Sequence, residues 1–305
     1  MKIVSFLPSA TEILYELGVQ DQIKAVTHEC NYPQQAKSKP QVIHASFDPQ
    51  KMSSHEIDNK VLQLFQTGQD IYILDEQVLK NADPDVIISQ GICEVCSPYT
   101  REINKAVTLL GRKPEVIILD PKNLDDILQN IIQLGDVVGR KEKAKELVSK
   151  LEKRINYIQD TPKISRLTVL CMEWLDPLYT AGHWVPQMVE IAGGINGISS
   201  TGEKSRRMEL TEIVKFDPEI IILMPCGFDV SRTISEYEEL IENMEWRSLK
   251  AVQQGQVYAV NANEYFSKPG PRTVTGLEIL SKIIHPDTFR DLQIPDYSIQ
   301  RIDSE

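Results

Sequence analysis

Short runs of β-branched and aliphatic residues recur along this chain with helical patterns between them, and that alternation constrains the fold more than any other feature. Runs at 2–6, 23–26, 71–73, 86–89 and 116–119, then at 167–171, 220–223 and 257–260, each read as a strand. Strand, helix and strand in that order is built most readily as parallel strands joined by crossover helices, so the chain is read as α/β. The runs fall into two groups. Between them, residues 123–159 are dense in Leu, Ile, Glu and Lys at helical spacing and predict one or two long helices, which Thr161-Pro162-Lys163 ends. The expected organisation is an N-terminal α/β lobe over 1–122, a linking helical segment over 123–160 and a C-terminal α/β lobe over 161–305. A length of 305 residues agrees, at about 100 to 200 residues per domain.

The two groups also echo one another. Asp83-Pro84-Asp85-Val86-Ile87-Ile88 recurs as Asp217-Pro218-Glu219-Ile220-Ile221-Ile222, each run followed closely by a cysteine, and 115–118 against 256–259 continues the parallel. The echo suggests similar lobes.

Composition excludes several functions. Lys and Arg number 33 against 44 Asp and Glu, a net charge of −11, whereas a binder of phosphate backbones needs clustered cation; nucleic acid is not an expected partner. Apolar stretches such as 220–224 fall far short of the roughly 20 residues that cross a bilayer, so no membrane insertion is expected. The strand-like start running into Pro8 shows no secretory leader, which predicts a cytoplasmic address, or an extracytoplasmic one if a leader has been removed. Five cysteines are too few and odd in number for a disulfide scaffold, so reduced thiols are expected.

In open parallel sheets ligands bind outside the carboxyl ends of the strands, where loops converge. The loops to inspect therefore follow Val26, Ser89, Leu170 and Met224, and every cysteine ends a strand or lies just beyond one. If the lobes share a cleft, Cys30, Cys93, Cys96 and Cys226 approach one another there with His28 and His183 nearby. Cys93 and Cys96 have the spacing of a zinc, iron–sulfur or redox pair, set against the plainer reading of small buried cysteines. Residues 173–186 form a long loop that combines Glu173, Trp174, His183 and Trp184, and loops that concentrate aromatics usually bind something; the alternative is that the indoles cap the lobe core. Residues 263–272, carrying Glu264, Tyr265, Phe266 and Lys268, follow the last strand on the same side. Ser9-Ala10-Thr11-Glu12 reads as a capping box opening a helix over 10–17, and Ser53-Ser54-His55-Glu56 as a second. His55, His44 and His285 are read as helix-surface residues. No nucleophile elbow, phosphate loop or metalloprotease motif is present, so binding outranks turnover.

Several of these elements together resemble, almost end to end, the helical-backbone substrate-binding proteins of ABC importers for cobalamin, haem and ferric siderophores. They are the opening run Ile3 through Leu14, the turn Asn31-Tyr32-Pro33-Gln34-Gln35-Ala36, Asp83-Pro84-Asp85, Tyr179-Thr180-Ala181-Gly182 with Ala192-Gly193-Gly194, and Phe266 through Arg272. The cobalamin-binding members look most similar. The resemblance implies two Rossmann-like lobes with parallel sheets, joined by a single long backbone helix near 142–157, with a ligand cleft between them. It implies that Tyr32 packs on the ligand from the first lobe and that Glu264, Tyr265 and Lys268 occupy the contact loop of the second. It also implies docking to an ABC permease, with Glu209 as a counterpart in the second lobe and Glu94 near the expected place in the first. Three features depart from the pattern: no leader, the cysteines, and an added helical stretch over 53–68. They point to a cytoplasmic branch of the family.

Two readings follow. In the first the protein is a non-catalytic monomer that binds cobalamin, a related corrinoid or another small-molecule metal chelate. In the second, the same fold is a cytoplasmic metalloprotein or enzyme with zinc or an iron–sulfur cluster on the four cysteines and with His183 and Glu173 near a substrate.

Overall fold

The structure is a computed structural model that describes residues 1–91 and 100–302. The chain divides into two compact units. The first comprises Met1–Met52, Glu56–Pro121 and Asp125–Ser149; the second comprises Ser53–His55, Lys122–Leu124 and Lys150–Glu305.

The first unit runs β1 (Ile3–Ser5), α1 (Pro8–Glu16), β2 (Ile23–Thr27), β3 (Gln41–Ala45), α2 (Ser54–Thr67), β4 (Tyr72–Leu74), α3 (Glu76–Ala82), β5 (Val86–Gln90), α4 (Thr100–Leu110) and β6 (Glu115–Leu119). Its strands lie in the order β4-β3-β2-β1-β5-β6. All neighbours are parallel except β3 and β4, which the chain joins antiparallel at the edge. The order reverses direction between β1 and β5, the kind of point at which such sheets bind ligands. Val4, Phe6, Ala25, Val42, Ile43 and Ile87 build the core of this unit without any exposure, each larger aliphatic side chain contributing about 1.5 to 3 kcal/mol by leaving water.

Helix α5 (Leu124–Val137) packs closely on the start of α6 (Lys141–Asp160): a Cβ on Gly135 would lie 2.4 Å from that of Ala144, so only glycine permits the approach. Helix α6 carries the chain from the first unit, at Ser149, into the second, at Lys150. There Arg154 donates Nε to Glu278 Oε1 at 2.8 Å and Nη2 to Glu278 Oε2 at 2.7 Å and to Thr275 Oγ1 at 2.9 Å. A paired fork of this kind is among the stronger polar contacts. Lys163 Nζ closes the helix by donating to the carbonyls of Ile158 and Gln159.

The second unit continues with β7 (Thr168–Leu175), β8 (Leu178–Thr180), α7 (Val185–Ile191), β9 (Ile195–Asn196), β10 (Arg206–Arg207), α8 (Leu210–Phe216), β11 (Ile220–Leu223), α9 (Val230–Leu240), α10 (Met244–Arg247), α11 (Lys250–Gln253), β12 (Val257–Val260), α12 (Ala262–Tyr265), α13 (Thr273–Ile284) and β13 (Ile299–Ile302). The order is β10-β8-β7-β11-β12-β13, with β9 beside β7. The central strands β7, β11 and β12 are parallel, and both flanks are antiparallel. Fully buried Trp246 anchors the core and donates Nε1 to Tyr237 Oη at 3.0 Å.

Three local expectations change. Helix α1 begins at Pro8, with Leu7 as its cap residue and no side-chain capping bond, so Ser9 lies inside the first turn and does not cap it. Proline's fixed φ and missing N–H suit that first position better than any capping box. His44 sits in β3, and buried His285 follows the end of α13, so neither is a helix-surface residue. Residues 173–186 are largely a hairpin: β7 runs on to Leu175 and turns back through Asp176-Pro177 into β8. Among the described residues no helix is long and apolar enough to cross a membrane.

Candidate functional site

The carboxyl ends of the second unit's strands carry a connected set of side chains. Where β7 outruns β11 it presents Glu173 and Trp174. Glu173 Oε2 accepts from Ser205 Oγ at 2.7 Å, and its carbonyl accepts from Cys226 N at 3.0 Å, which ties the loop after β11 to the extension of β7. The Trp174 ring lies 5.3 Å from the Phe228 ring, tilted by 58°. The Arg232 guanidinium sits 3.7 Å from the centre of that phenyl ring, a cation–π contact in which burial pulls the guanidinium below its ordinary pKa. Trp174 Nε1 donates to Ser54 O at 3.3 Å, and Ser54 N donates to Glu236 Oε2 at 3.0 Å, so the first residues of α2 belong to this surface. His55, exposed as expected, pairs with Asp176 at 3.2 Å.

The turn that precedes α7 is pressed against residues 202–205. His183 N donates to Glu203 O at 2.6 Å and Gly202 N donates to His183 O at 2.8 Å. A Cβ on Gly182 would lie 2.5 Å from Glu203 O and Ser205 N, so no side chain fits there. His183 pays for this fit with a left-handed backbone, φ 55°, a strained state for a residue with a side chain. Its ring is 5.7 Å from that of Trp184, which is buried with no acceptor for its indole N–H among the described residues.

A third cluster follows β12. Asn261 caps α12 by accepting from Glu264 N at 3.2 Å. Glu264 Oε2 accepts from Arg272 Nη1 at 3.1 Å and from Tyr297 Oη at 3.3 Å, and Tyr297 Oη lies 3.1 Å from Tyr265 Oη. Burial, followed by the bond to Tyr297, holds the Tyr265 phenol far above its usual pKa, so it stays protonated. Lys268 Nζ donates to Asn263 Oδ1 at 2.7 Å. Tyr265 and Phe266 are buried, at 3% and 4% exposure; they support the loop from within, while Glu264 and Lys268 remain half-exposed.

In the first unit, His28 follows β2, its Nδ1 3.2 Å from Ile43 O and its Nε2 3.6 Å from Glu29 Oε1. Its ring centre lies 6.4 Å from that of His44 and 6.3 Å from that of Tyr72. Tyr32 is exposed in the turn beyond.

Of the four cysteines read as a ligand set, two lie in the described residues, Cys30 in the first unit and Cys226 in the second. Cys30 is 2% exposed, its Sγ 3.1 Å from Thr11 Oγ1 and 3.4 Å from Thr27 Oγ1, so hydroxyls inside the wall of the first unit occupy it. Cys226 is half-buried in the second unit. Cys171 is buried in β7, and burial pushes its thiol pKa up. Cys93 and Cys96, with Glu94, lie outside the described residues. No three His, Cys, Asp or Glu side chains of the described residues are grouped to hold a metal ion. Glu209 is exposed at the start of α8.

Sequence reasoning missed Phe228, Arg232, Arg272 and Tyr297 as members of these clusters. Phe228 and Arg272 lay in loops it had marked, Arg232 has no motif, and Tyr297 depends on an edge strand that the sequence did not announce.

The periplasmic binding protein pattern matches residues 3–264. The chain belongs to that family. Among its relatives, an uncharacterized ABC transporter substrate-binding lipoprotein, YvrC of Bacillus subtilis (strain 168), is 25% identical and covers 95% of this chain and 82% of its own. The vitamin B12-binding protein of Vibrio cholerae is 25% identical over 91% of this chain and 86% of its own. Among solved structures, the periplasmic heme-binding protein RhuT from Roseiflexus sp. RS-1 superposes with a TM-score of 0.70 at 18% identity, covering 94% of this chain and 99% of that one. The α/β architecture with two lobes is therefore the fold of this family, as the motifs implied. The relatives' names give a lipoprotein and a periplasmic protein, and the expected cytoplasmic address gains no support from them.

Proposed function

We propose that this protein is the substrate-binding component of an ABC importer, working outside the cytoplasm, and that its cargo is a metal chelate of the cobalamin or haem kind. The observation that carries the reading is the make-up of the second unit's strand-end loops. Half-exposed Trp174 packs, tilted, on buried Phe228, which Arg232 covers, and the Phe228 carbonyl accepts from Asn263 N at 3.0 Å, which joins this aromatic patch to the polar edge of Glu264, Arg272 and Lys268. Such a surface suits a large, largely apolar ring system with polar substituents, since aromatic faces supply contact area and the few polar groups set orientation. Relatives named for vitamin B12 and heme support that class without choosing within it. Strain held at His183 fits a side chain fixed for contact, with Trp184 behind it. Tyr32 and His28 are the first unit's candidates, and exposed Glu209 is the candidate contact for a permease. The metal is part of the cargo, and neither zinc nor an iron–sulfur cluster is proposed.

Titration of the purified protein with cyanocobalamin, hydroxocobalamin and haemin, followed by tryptophan fluorescence, tests the reading. The expected result is saturable binding of one chelate. Failure of all three to bind below about 100 µM, weak on the affinity scale, overturns it.

A further inference from the structure

We infer that Tyr297, near the C-terminus, is a ligand-contacting aromatic of the second unit, delivered to the binding edge by the last strand. Register places it there. Strand β13 runs antiparallel to β12, with Val260 opposite Ile299, so the residues just before β13 lie at the carboxyl end of β12, where Asn261 and α12 begin. Asn261 N donates to Ser298 O at 2.9 Å and fixes the junction. A strand that paired in the parallel sense would have left Tyr297 at the opposite end of the sheet.

Its side chain is held and yet open. Tyr297 is 60% exposed, while its hydroxyl lies 3.1 Å from Tyr265 Oη and 3.3 Å from Glu264 Oε2, the carboxylate that also takes Arg272. An exposed ring tethered at its tip has already lost much of its rotational freedom, so stacking on a ligand costs little further ordering. The family pattern ends at residue 264, so this contact comes from a part of the chain beyond it. The partner chemistry is an apolar, planar face. The inference rests on the proposed chelate class, because a small polar substrate offers no such face.

The test uses cyanocobalamin and haemin as probes, with the unaltered protein titrated first. Y297A is expected to weaken binding of the accepted probe about tenfold, and Y297F, which keeps the ring, by no more than about threefold. Unchanged affinity in Y297A overturns the inference and leaves the proposed function standing, and so does a loss in Y297F equal to that in Y297A. Failure of the unaltered protein to bind either probe overturns the proposed function and this inference with it. Should Y297A not fold by circular dichroism, hydrogen exchange of the unaltered chain decides: slowed exchange over 296–302 on adding the probe supports the contact, and unchanged exchange refutes it.

Discussion

Two Asp-Pro junctions, one in each unit, do the same local work with different surroundings. Helix α3 ends at Asp83 with φ 41°, and helix α8 ends at Asp217 with φ 45°; in both the left-handed residue stops the helix and a proline follows. Each then feeds an interior parallel strand of its sheet, β5 in the first unit and β11 in the second. Asp85 accepts from Lys2 N at 2.7 Å beside β1, and Glu219 accepts from Thr168 N at 3.0 Å beside β7, so the acid after the proline pins the neighbouring parallel strand in both units. The repeated sequence is thus a repeated structural joint. Beyond the joint the units diverge. In the second, side chains at the end of β7, in the segments after β11 and β12 and just before β13 knit the strand-end loops together; in the first, His28 and Tyr72 are arranged around β2 to β4, and Cys30 is turned inward. The same frame carries different tips, and the chemistry lies in the tips.

Several perturbations sharpen that contrast. The largest effect is expected at the frame. Trp246→Ala in the second unit and Phe6→Ala in the first each remove a fully buried aromatic and should each cost about 3 to 5 kcal/mol in urea unfolding. A value near zero for either would mean that its core is not packed as described. At the tips, Trp174→Ala should weaken chelate binding about tenfold or more while leaving the unfolding midpoint nearly unchanged, because the residue is half-exposed. Cys30→Ser, by contrast, should leave affinity within about twofold, and a large loss would return that thiol to the site.

The joints themselves come next. Asp83→Ala and Asp217→Ala place a β-carbon without a compensating side-chain oxygen in the left-handed region, and each should cost about 1 to 2 kcal/mol. They differ in salt dependence. Asp83 pairs with Lys2 and Arg112 across exposed surface, so the cost of removing it should shrink at high salt. The Asp217 carboxylate accepts from the Lys250 backbone N–H, so its cost should change less. Equal salt responses would erase the distinction.

Much of the frame was legible from sequence because it rests on periodicity and on proline. Strands β1, β2, β5, β6, β7, β11 and β12 are apolar runs bounded by turn residues, and α6 is a long amphipathic stretch closed by Thr161-Pro162. Strands β3, β8, β10 and β13 were not legible. They are short or polar and sit away from the sheet centres, and their pairing is decided by the neighbours they find. The same cause hid Tyr297. Ser9 misled because its spacing to Glu12 imitates a capping box, whereas the helix begins two residues earlier, at Pro8. Arg232 carries no motif at all, and only the fold brings its guanidinium to the Phe228 ring.

The smallest effects concern pH. Lys2 followed by Arg112 holds Asp83 below the usual carboxylate range, Lys105 does so for Asp70, and Lys250 with the Thr168 backbone does so for Glu219. A depressed folded pKa contributes stability that is present above the unfolded value, near 4, and is lost as pH falls through the folded values. Buried His285 is likewise held below the ordinary imidazole range, first by burial and also by Lys163. Its contribution is complete above about 6.5 and is lost as pH falls through the depressed folded value. Thermal unfolding from pH 8 to 3 should therefore show a shallow decline beginning near pH 6.5 and a steeper one below about 4. In His285→Gln the first decline should vanish.

Hydrogen–deuterium exchange with and without bound chelate tests the central claim most directly. The account predicts slowed exchange on ligand addition at 172–184, 225–232 and 261–272, the segments that meet at the strand ends of the second unit. Saturable binding that leaves all three segments unprotected would contradict it.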